Sequence, residues 1–221
     1  MLWIMLLGCG AFREARDADE AVIRDEMAAH SAEASQARAA LINGDLEGVH
    51  KAGAALSARL PLPELPTEAQ QPVTRAAEAL SSASTLEVAA AQIAQLGAGC
   101  GSCHTTVGAD VSLPPLSTAS PNEAFDAQMQ RYHWASERMW QGLVLSSDTA
   151  FDEARAALRQ LPTASFAPQL DGELPVTAET LDATVHEMAS KAGPGNAEMY
   201  GAMLLTCVLC HVHSPDSPAN D

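Results

Sequence analysis

The sequence predicts an all-α protein made of two tandem four-helix bundles. Alanine dominates the apolar 47% of the chain, and only 4% of the 221 residues are aromatic, a composition that favours helix over sheet. Apolar residues recur at three- and four-residue steps, the spacing of an amphipathic helix. One order of elements also occurs twice, with a period of about one hundred residues. Each copy has a long helix, a shorter helix, a proline-bearing connector and two further helices.

Four helices are predicted in the first bundle. The bundle spans residues 17–105, and its helices cover residues 17–42, 45–60, 67–80 and 84 up to 104. Asp45 caps the second helix, and the prolines that follow it form a stiff connector. Thr67 with Gln70 and Ser84 with Glu87 are capping-box patterns, which open the third and fourth helices.

The same order of elements is predicted for the second bundle. The bundle spans residues 120–213, and its helices cover residues 121–145, 148–161, 177–191 and 196 up to 211. Residues 106–119, rich in glycine, proline and hydroxyl side chains, form a linker between the bundles. Residues 214–221 are polar and are predicted to be a flexible tail.

The charge of the chain limits its partners. Its formal net charge is −16, because 28 acidic residues outnumber 12 basic ones. Nucleic-acid binding relies on clustered lysine and arginine, so no nucleic-acid partner is expected. The acidic balance favours solubility or a protein partner with a basic docking surface.

The pattern C-x-x-C-H occurs at the end of each predicted bundle. The first copy holds Cys100, Cys103 and His104, and the second holds Cys207, Cys210 and His211. Two thiols three positions apart lie on one face of a helix, and the histidine follows directly beside them. This pentapeptide is the attachment motif of c-type haem, so the sequence predicts two covalently bound haem c groups.

Two other uses of paired cysteines fit the sequence less well. A structural zinc site needs four protein ligands, and each motif supplies three at most from one helical turn. A thioredoxin-like redox pair follows a strand, and no such pattern precedes either motif.

The fifth cysteine indicates export. The run Leu6-Leu7-Gly8-Cys9 resembles the lipobox of bacterial lipoproteins, in which the cysteine is lipidated. Haem c is attached outside the cytoplasm, so residues 1–16 are interpreted as a lipoprotein-type signal and tether. The prediction is a periplasmic or other extracytoplasmic protein, held at a membrane by lipid on Cys9. The alternative is a misassigned chain start, with Cys9 an ordinary residue.

A four-helix bundle whose last helix carries C-x-x-C-H resembles the class II c-type cytochromes, the cytochrome c-prime group. Class I cytochromes c place this motif near the start of the domain instead. The resemblance implies thioether bonds to haem at both cysteine pairs. It also implies that His104 and His211 are the proximal iron ligands. A typical member of the family has one haem, whereas this chain has the motif twice.

The resemblance also places the far side of each haem against the first helix of its bundle, where Met or His would close the iron. When Asp45 is aligned with Asp148, His30 and His133 fall at equivalent positions, whereas Met27 has no methionine counterpart. This alignment favours His30 and His133 as distal ligands of low-spin, bis-His haems. The methionines that remain alternatives are Met27, Met129 and Met139.

The sequence therefore predicts a dihaem electron-transfer cytochrome rather than an enzyme. Its partners would be redox proteins and, through the lipid anchor, a membrane; no small-molecule substrate is indicated. A gas-binding or gas-sensing protein with five-coordinate iron is one alternative. A dihaem peroxidase-type enzyme is another, but no obvious set of acid–base groups accompanies the predicted distal positions.

Overall fold

A computed structural model of the chain describes three long stretches and a few residues between the second and third. They are residues 8–113, 115–116, 125–160 and 196–212, with residues 183, 185–187, 189 and 190; for residues 8–19 and 125–128 only the backbone is described. All regular secondary structure in these residues is helical, without a strand, which confirms the all-α prediction.

Seven helices have described bounds. They are α1 (Gly8–Ile42), α2 (Leu46–Ala58), α3 (Thr67–Leu80), α4 (Leu86–Val107), α5 (Phe125–Val144), α6 (Asp148–Arg159) and α7 (Asn196–Val212). The helix α1 begins at Gly8 and not at Asp17, so the predicted start of this helix was wrong. The predicted connector between α6 and the third helix of the second repeat lies outside the described residues, as does the tail at residues 214–221.

The helix starts confirm one predicted cap and correct two others. The Asp45 carboxylate accepts a hydrogen bond from the backbone N–H of Gly48, as an N-cap does. Helix α3 begins after Pro66 without a side-chain cap, and the side chain of Gln70 bonds to the connector rather than to the helix start. Helix α4 is capped by Thr85 and not by Ser84, so both predicted capping boxes were wrong.

The first helices of the two repeats end in the same way. Gly44 has φ of +73°, and its N–H bonds to the carbonyl of Leu41. Ser146 has φ of +49°, and its N–H bonds to the carbonyl of Leu143. In each repeat the next residue donates to the carbonyl five positions back, which completes a Schellman motif.

The last residue of each Schellman motif is also the N-cap of the next helix. In the first repeat this cap is Asp45, and in the second it is Ser147, whose hydroxyl accepts from the N–H of Ala150. The structure therefore aligns Asp45 with Ser147, one residue before the Asp148 used in the sequence alignment. Burial agrees with this register, because Val49 is 0% exposed and its counterpart Phe151 is 1% exposed.

The two repeats share a continuous core. Helix α4 packs against α3 of its own repeat and against α5 and α7 of the other, and α1 also contacts α7. At the meeting point of α1, α5 and α7, the guanidinium of Arg38 is paired with the carboxylate of Glu137. The same guanidinium lies 4.9 Å from the ring centroid of Trp140 and 6.0 Å from that of Tyr200. Each C-x-x-C-H helix thus contacts both repeats.

Candidate haem attachment site

The first C-x-x-C-H motif lies inside a helix and not in a loop. Helix α4 runs through Cys100, Cys103 and His104 and ends at Gly108, which has φ of +67°. Cys103 is 8% exposed and Cys100 is half-buried. The helix places both thiols on one face, as the three-residue spacing predicts.

The ring of His104 is held by the other repeat. Its Nδ1 lies 3.0 Å from the carbonyl oxygen of Val144, in the last turn of α5. A carbonyl can only accept, so Nδ1 carries a proton, and Nε2 is the ring nitrogen left to ligate a metal ion. A backbone acceptor on one nitrogen is the usual way in which proteins orient a metal-ligating histidine.

The helices can approach closely at this point because residue 101 is glycine. A Cβ on Gly101 would overlap the carbonyl oxygen of Leu143 and would lie 2.7 Å from Oγ of Ser146. The glycine between the two thiols therefore allows α4 to reach the end of α5. This approach makes the bond between His104 and Val144 possible.

A cavity of about 390 Å³ opens beside the motif. Its lining is mostly apolar, with leucine and valine side chains from α2, α3 and α4, and it includes Cys100, Cys103 and His104. Trp140 and Val144 of the second repeat also line it. The size and apolar character are typical of a cofactor site.

The side chain of His30, on α1, lines the same cavity. Its Nε2 is buried and makes no hydrogen bond to any described residue. Burial lowers the pKa of His30, an effect opposed by the charge of Glu26 and reinforced by that of Arg59. The ring is thus favoured in its neutral form, which is the form that binds a metal ion. Met27, one turn earlier on α1, lines the cavity too.

The environment of the thiols is apolar. Burial, with a smaller effect of Cys103, raises the pKa of Cys100 to about 12, and burial also raises the pKa of Cys103. These thiols are therefore protonated at neutral pH. Disulfide exchange needs a thiolate, so this environment weighs against a redox-active pair. Among the described residues, no three His, Cys, Asp or Glu side chains are grouped to hold a metal ion.

The second motif occupies the equivalent place on α7. Cys207 and Cys210 are half-buried, and His211 is exposed. Burial raises the pKa of Cys207 to about 12, with a smaller effect of Cys210. Next to the motif, Cγ2 of Val212 would lie 2.6 Å from a Cβ on Gly44. The end of α7 therefore meets the end of α1, just as the end of α4 meets the end of α5.

The structure does not place His133 where the sequence alignment expected it. Both α1 and α5 are uninterrupted helices, so the register can be counted back from their matching ends. On this register His30 corresponds to Tyr132, whereas His133 corresponds to the exposed Ser31. The alignment that paired His30 with His133 was wrong by one residue. The side chain of His133 is 76% exposed, and its Nε2 lies 4.0 Å from Glu137.

Sequence reasoning also missed residues that belong to the site. Trp140 and Val144 both lie on α5 and line the first cavity. The sequence contained one signal for the correct register of the two repeats. Aligning Asp45 with Ser147, rather than with Asp148, also aligns Met27 with Met129. The contribution of Trp140 and Val144 to the first cavity depends on packing between the repeats, which periodicity does not report.

Comparison with known proteins finds no matching family model, no matching curated protein and no matching solved structure. Within the described residues, no helix has the length and apolar content needed to cross a bilayer. Cys9 lies in the first turns of α1, where only the backbone is described, so its lipidation stays a prediction.

Proposed function

We propose that this chain is a dihaem c-type cytochrome, which carries electrons between protein partners outside the cytoplasm. The observation that carries the proposal is the make-up of one apolar cavity. Cys100, Cys103, His104 and His30 all line it. A haem that is attached through two sulfurs and ligated by two imidazoles needs these groups around one apolar space.

The residues present fit a haem group. Cys100 and Cys103 lie one turn apart on α4 and supply the two attachment points. The bond from His104 to Val144 leaves Nε2 as the free ligating atom. On α1, the buried Nε2 of His30 has no hydrogen-bond partner among the described residues. A buried polar atom without a partner is costly, and ligation would remove that cost.

A bound haem would supply a one-electron centre whose iron changes between the ferric and ferrous states. The chain's own task is to hold the two histidine rings still and to exclude water. Leu56 is 2% exposed, Val73 is 6% and Leu96 is 0%, and all three line the cavity. Such close packing resists movement, so little rearrangement would accompany a change of oxidation state.

The same proposal covers the second repeat and the surroundings of the protein. The second haem is attached at Cys207 and Cys210, with His211 as its proximal ligand, and each repeat is a four-helix bundle of the class II type. A lipid on Cys9 holds the protein at a membrane in the periplasm or another extracytoplasmic space. Its net charge of −16 suits redox partners with basic docking surfaces.

The absorption spectrum of the exported protein tests the ligand assignment at the first haem. In His30→Ala, one of the two haems is expected to change from low spin to high spin. The matched control is His50→Ala, since His50 is bonded to the carbonyl of Ala83 at 2.7 Å and lies outside the cavity. This control should leave the spectrum unchanged.

Two results would contradict the proposal at different levels. A protein with two haems and an unaltered spectrum in His30→Ala would refute His30 as a ligand, and a change in Met27→Leu would then assign Met27. Exported protein without covalent haem would refute the cytochrome itself.

A further inference from the structure

The guanidinium of Arg38 is buried against two aromatic rings that belong to different helices of the second repeat. Its carbon Cζ lies 4.9 Å from the ring centroid of Trp140 on α5 and 6.0 Å from that of Tyr200 on α7. The centroids of the two rings are 5.9 Å apart. One cation thus packs against both rings, and each ring connects it with a different C-x-x-C-H motif.

The connection with the first motif runs through Trp140. This ring lines the first cavity, and its Cζ3 would lie 2.7 Å from a Cβ on Gly97, one turn before Cys100 on α4. Arg38 also continues the face of α1 that lines the cavity, because Ala34, four residues earlier, is part of the lining. The cation therefore lies next to the wall of the first cavity.

The connection with the second motif runs along α7. Tyr200 lies two turns before Cys207 on this helix, and residues seven positions apart share a helix face. Burial and, to a smaller extent, Cys210 raise the pKa of Cys207 to about 12, whereas the charge of Arg38 acts to lower it. The second motif is thus also within electrostatic reach of the cation.

The counter-ion of Arg38 is more exposed than the cation itself. The side chain of Glu137 is 26% exposed, whereas that of Arg38 is 8% exposed. Water therefore screens the carboxylate more strongly than the guanidinium, which stays charged at every accessible pH. For groups in the protein interior, the positive charge of the pair outweighs the negative one.

We infer that Arg38 raises the reduction potentials of both haems, because its charge acts on both repeats from the interface between them. This inference rests on the proposed attachment of two haems. When ferrous haem gives one electron to a redox partner, the iron gains one positive charge, and a buried cation nearby opposes that gain. The low dielectric of the protein interior makes this repulsion stronger than that from a surface charge.

Potentiometric titration of the exported protein, followed through the haem absorption bands, tests the inference. Arg38→Gln removes the cation, so both midpoint potentials should fall. Glu137→Gln removes the counter-ion and keeps the cation, so both should rise. In the double variant Arg38→Gln/Glu137→Gln, both potentials should lie between those of the wild-type protein and of Arg38→Gln, because the carboxylate has the weaker effect.

Two further variants complete the experiment. Lys51→Gln is the matched control, because it removes one positive charge from a side chain that is 74% exposed. Water and salt screen that charge, so both potentials should stay unchanged. Replacing Cys207 and Cys210 with serine leaves the first haem alone, and its potential then assigns one of the two steps in the titration.

Folding of the variants does not limit the test. Arg38→Gln leaves Glu137 without its partner and is the variant most at risk of unfolding. The double variant contains no unpaired charge at this place, and Glu137→Gln keeps an amide beside the guanidinium. These two variants alone still test the inference, because one should lower both potentials and the other should raise them.

Three results would overturn the inference. A shift of only one potential would show that the cation acts on one haem alone. Shifts no larger than those of Lys51→Gln would show that its charge reaches neither haem. Shifts in the same direction in both single variants would assign the effect to altered packing and not to charge. In each case the protein still holds two haems, so the failure differs from that of the proposed cytochrome, which would be haem-free.

Discussion

The buried ion pair between the repeats gives a prediction whose size follows from the structure. Arg38 on α1 and Glu137 on α5 are joined by two contacts, and their side chains are 8% and 26% exposed. Glu137→Ala would leave the guanidinium buried between the rings of Trp140 and Tyr200 without a counter-ion. Removing one partner of a buried pair costs about 3–5 kcal/mol. The lower end applies here, ~3 kcal/mol, since water reaches part of Glu137.

Thermal unfolding followed by circular dichroism measures this cost. For a chain of this length, ~3 kcal/mol corresponds to a fall in Tm of roughly 6–12 °C. The matched control is Glu47→Ala, which breaks a pair with Lys51 whose side chains are 77% and 74% exposed. That pair is hydrated, so Tm should not change measurably. The double variant Arg38→Met/Glu137→Leu should melt above Glu137→Ala, because no unpaired charge remains.

If Glu137→Ala melted within about 2 °C of the wild-type protein, the shift expected for less than 1 kcal/mol, the ion pair would not have the stabilising role described. A double variant that melted lower than the single variant would also contradict it, because the apolar replacements would then cost more than the orphaned charge.

Three further predictions concern the elements around the first cavity. Gly101→Ala should destabilise the protein by at least ~2 kcal/mol in urea unfolding, because the new methyl group overlaps the carbonyl of Leu143; unchanged stability would disprove the close approach of α4 and α5. Gln70→Ala should cost ~2–4 kcal/mol, because Gln70 is 2% exposed and makes three hydrogen bonds to the connector before α3. The matched control is Gln95→Ala, which should change stability by less than ~0.5 kcal/mol because Gln95 is exposed. Equal losses of stability in Gln70→Ala and Gln95→Ala would contradict the stabilising role of the Gln70 hydrogen bonds. For His30, folding lowers the pKa below its ordinary 6.5, so the unfolded haem-free chain binds the proton more readily. The free energy of unfolding of the haem-free protein should therefore fall as pH drops through 6.5, and it should fall less steeply in His30→Ala. Identical pH slopes of the two proteins in urea melts would contradict this effect of His30.

The start of a helix could be predicted from the sequence where residues close together in the chain determine it. Asp45 was expected to cap α2, and it does so, because an aspartate before an apolar run has few other roles. At Gln70 the same kind of signal failed. Its amide is used by the connector at Leu62 and Leu65, and only the tertiary structure brings these groups together.

The alignment of the repeats failed for a more specific reason. Ser147 and Asp148 are both good N-cap residues, so the sequence does not choose between them. The choice depends on Ser146, which adopts a left-handed conformation that is uncommon outside glycine. This one-residue difference moves the residue equivalent to His30 from the exposed His133 to the buried Tyr132.

The intact mass of the exported protein, taken together with its reduced spectrum, tests most directly whether the chain binds two haem groups covalently. We expect a polypeptide heavier by two haem groups, with the sharp visible bands of c-type haem. Replacing Cys207 and Cys210 with serine should remove one of the two haems and leave the other in place. A mass equal to that of the bare polypeptide, or a bound metal without porphyrin, would show that the protein is not a c-type cytochrome.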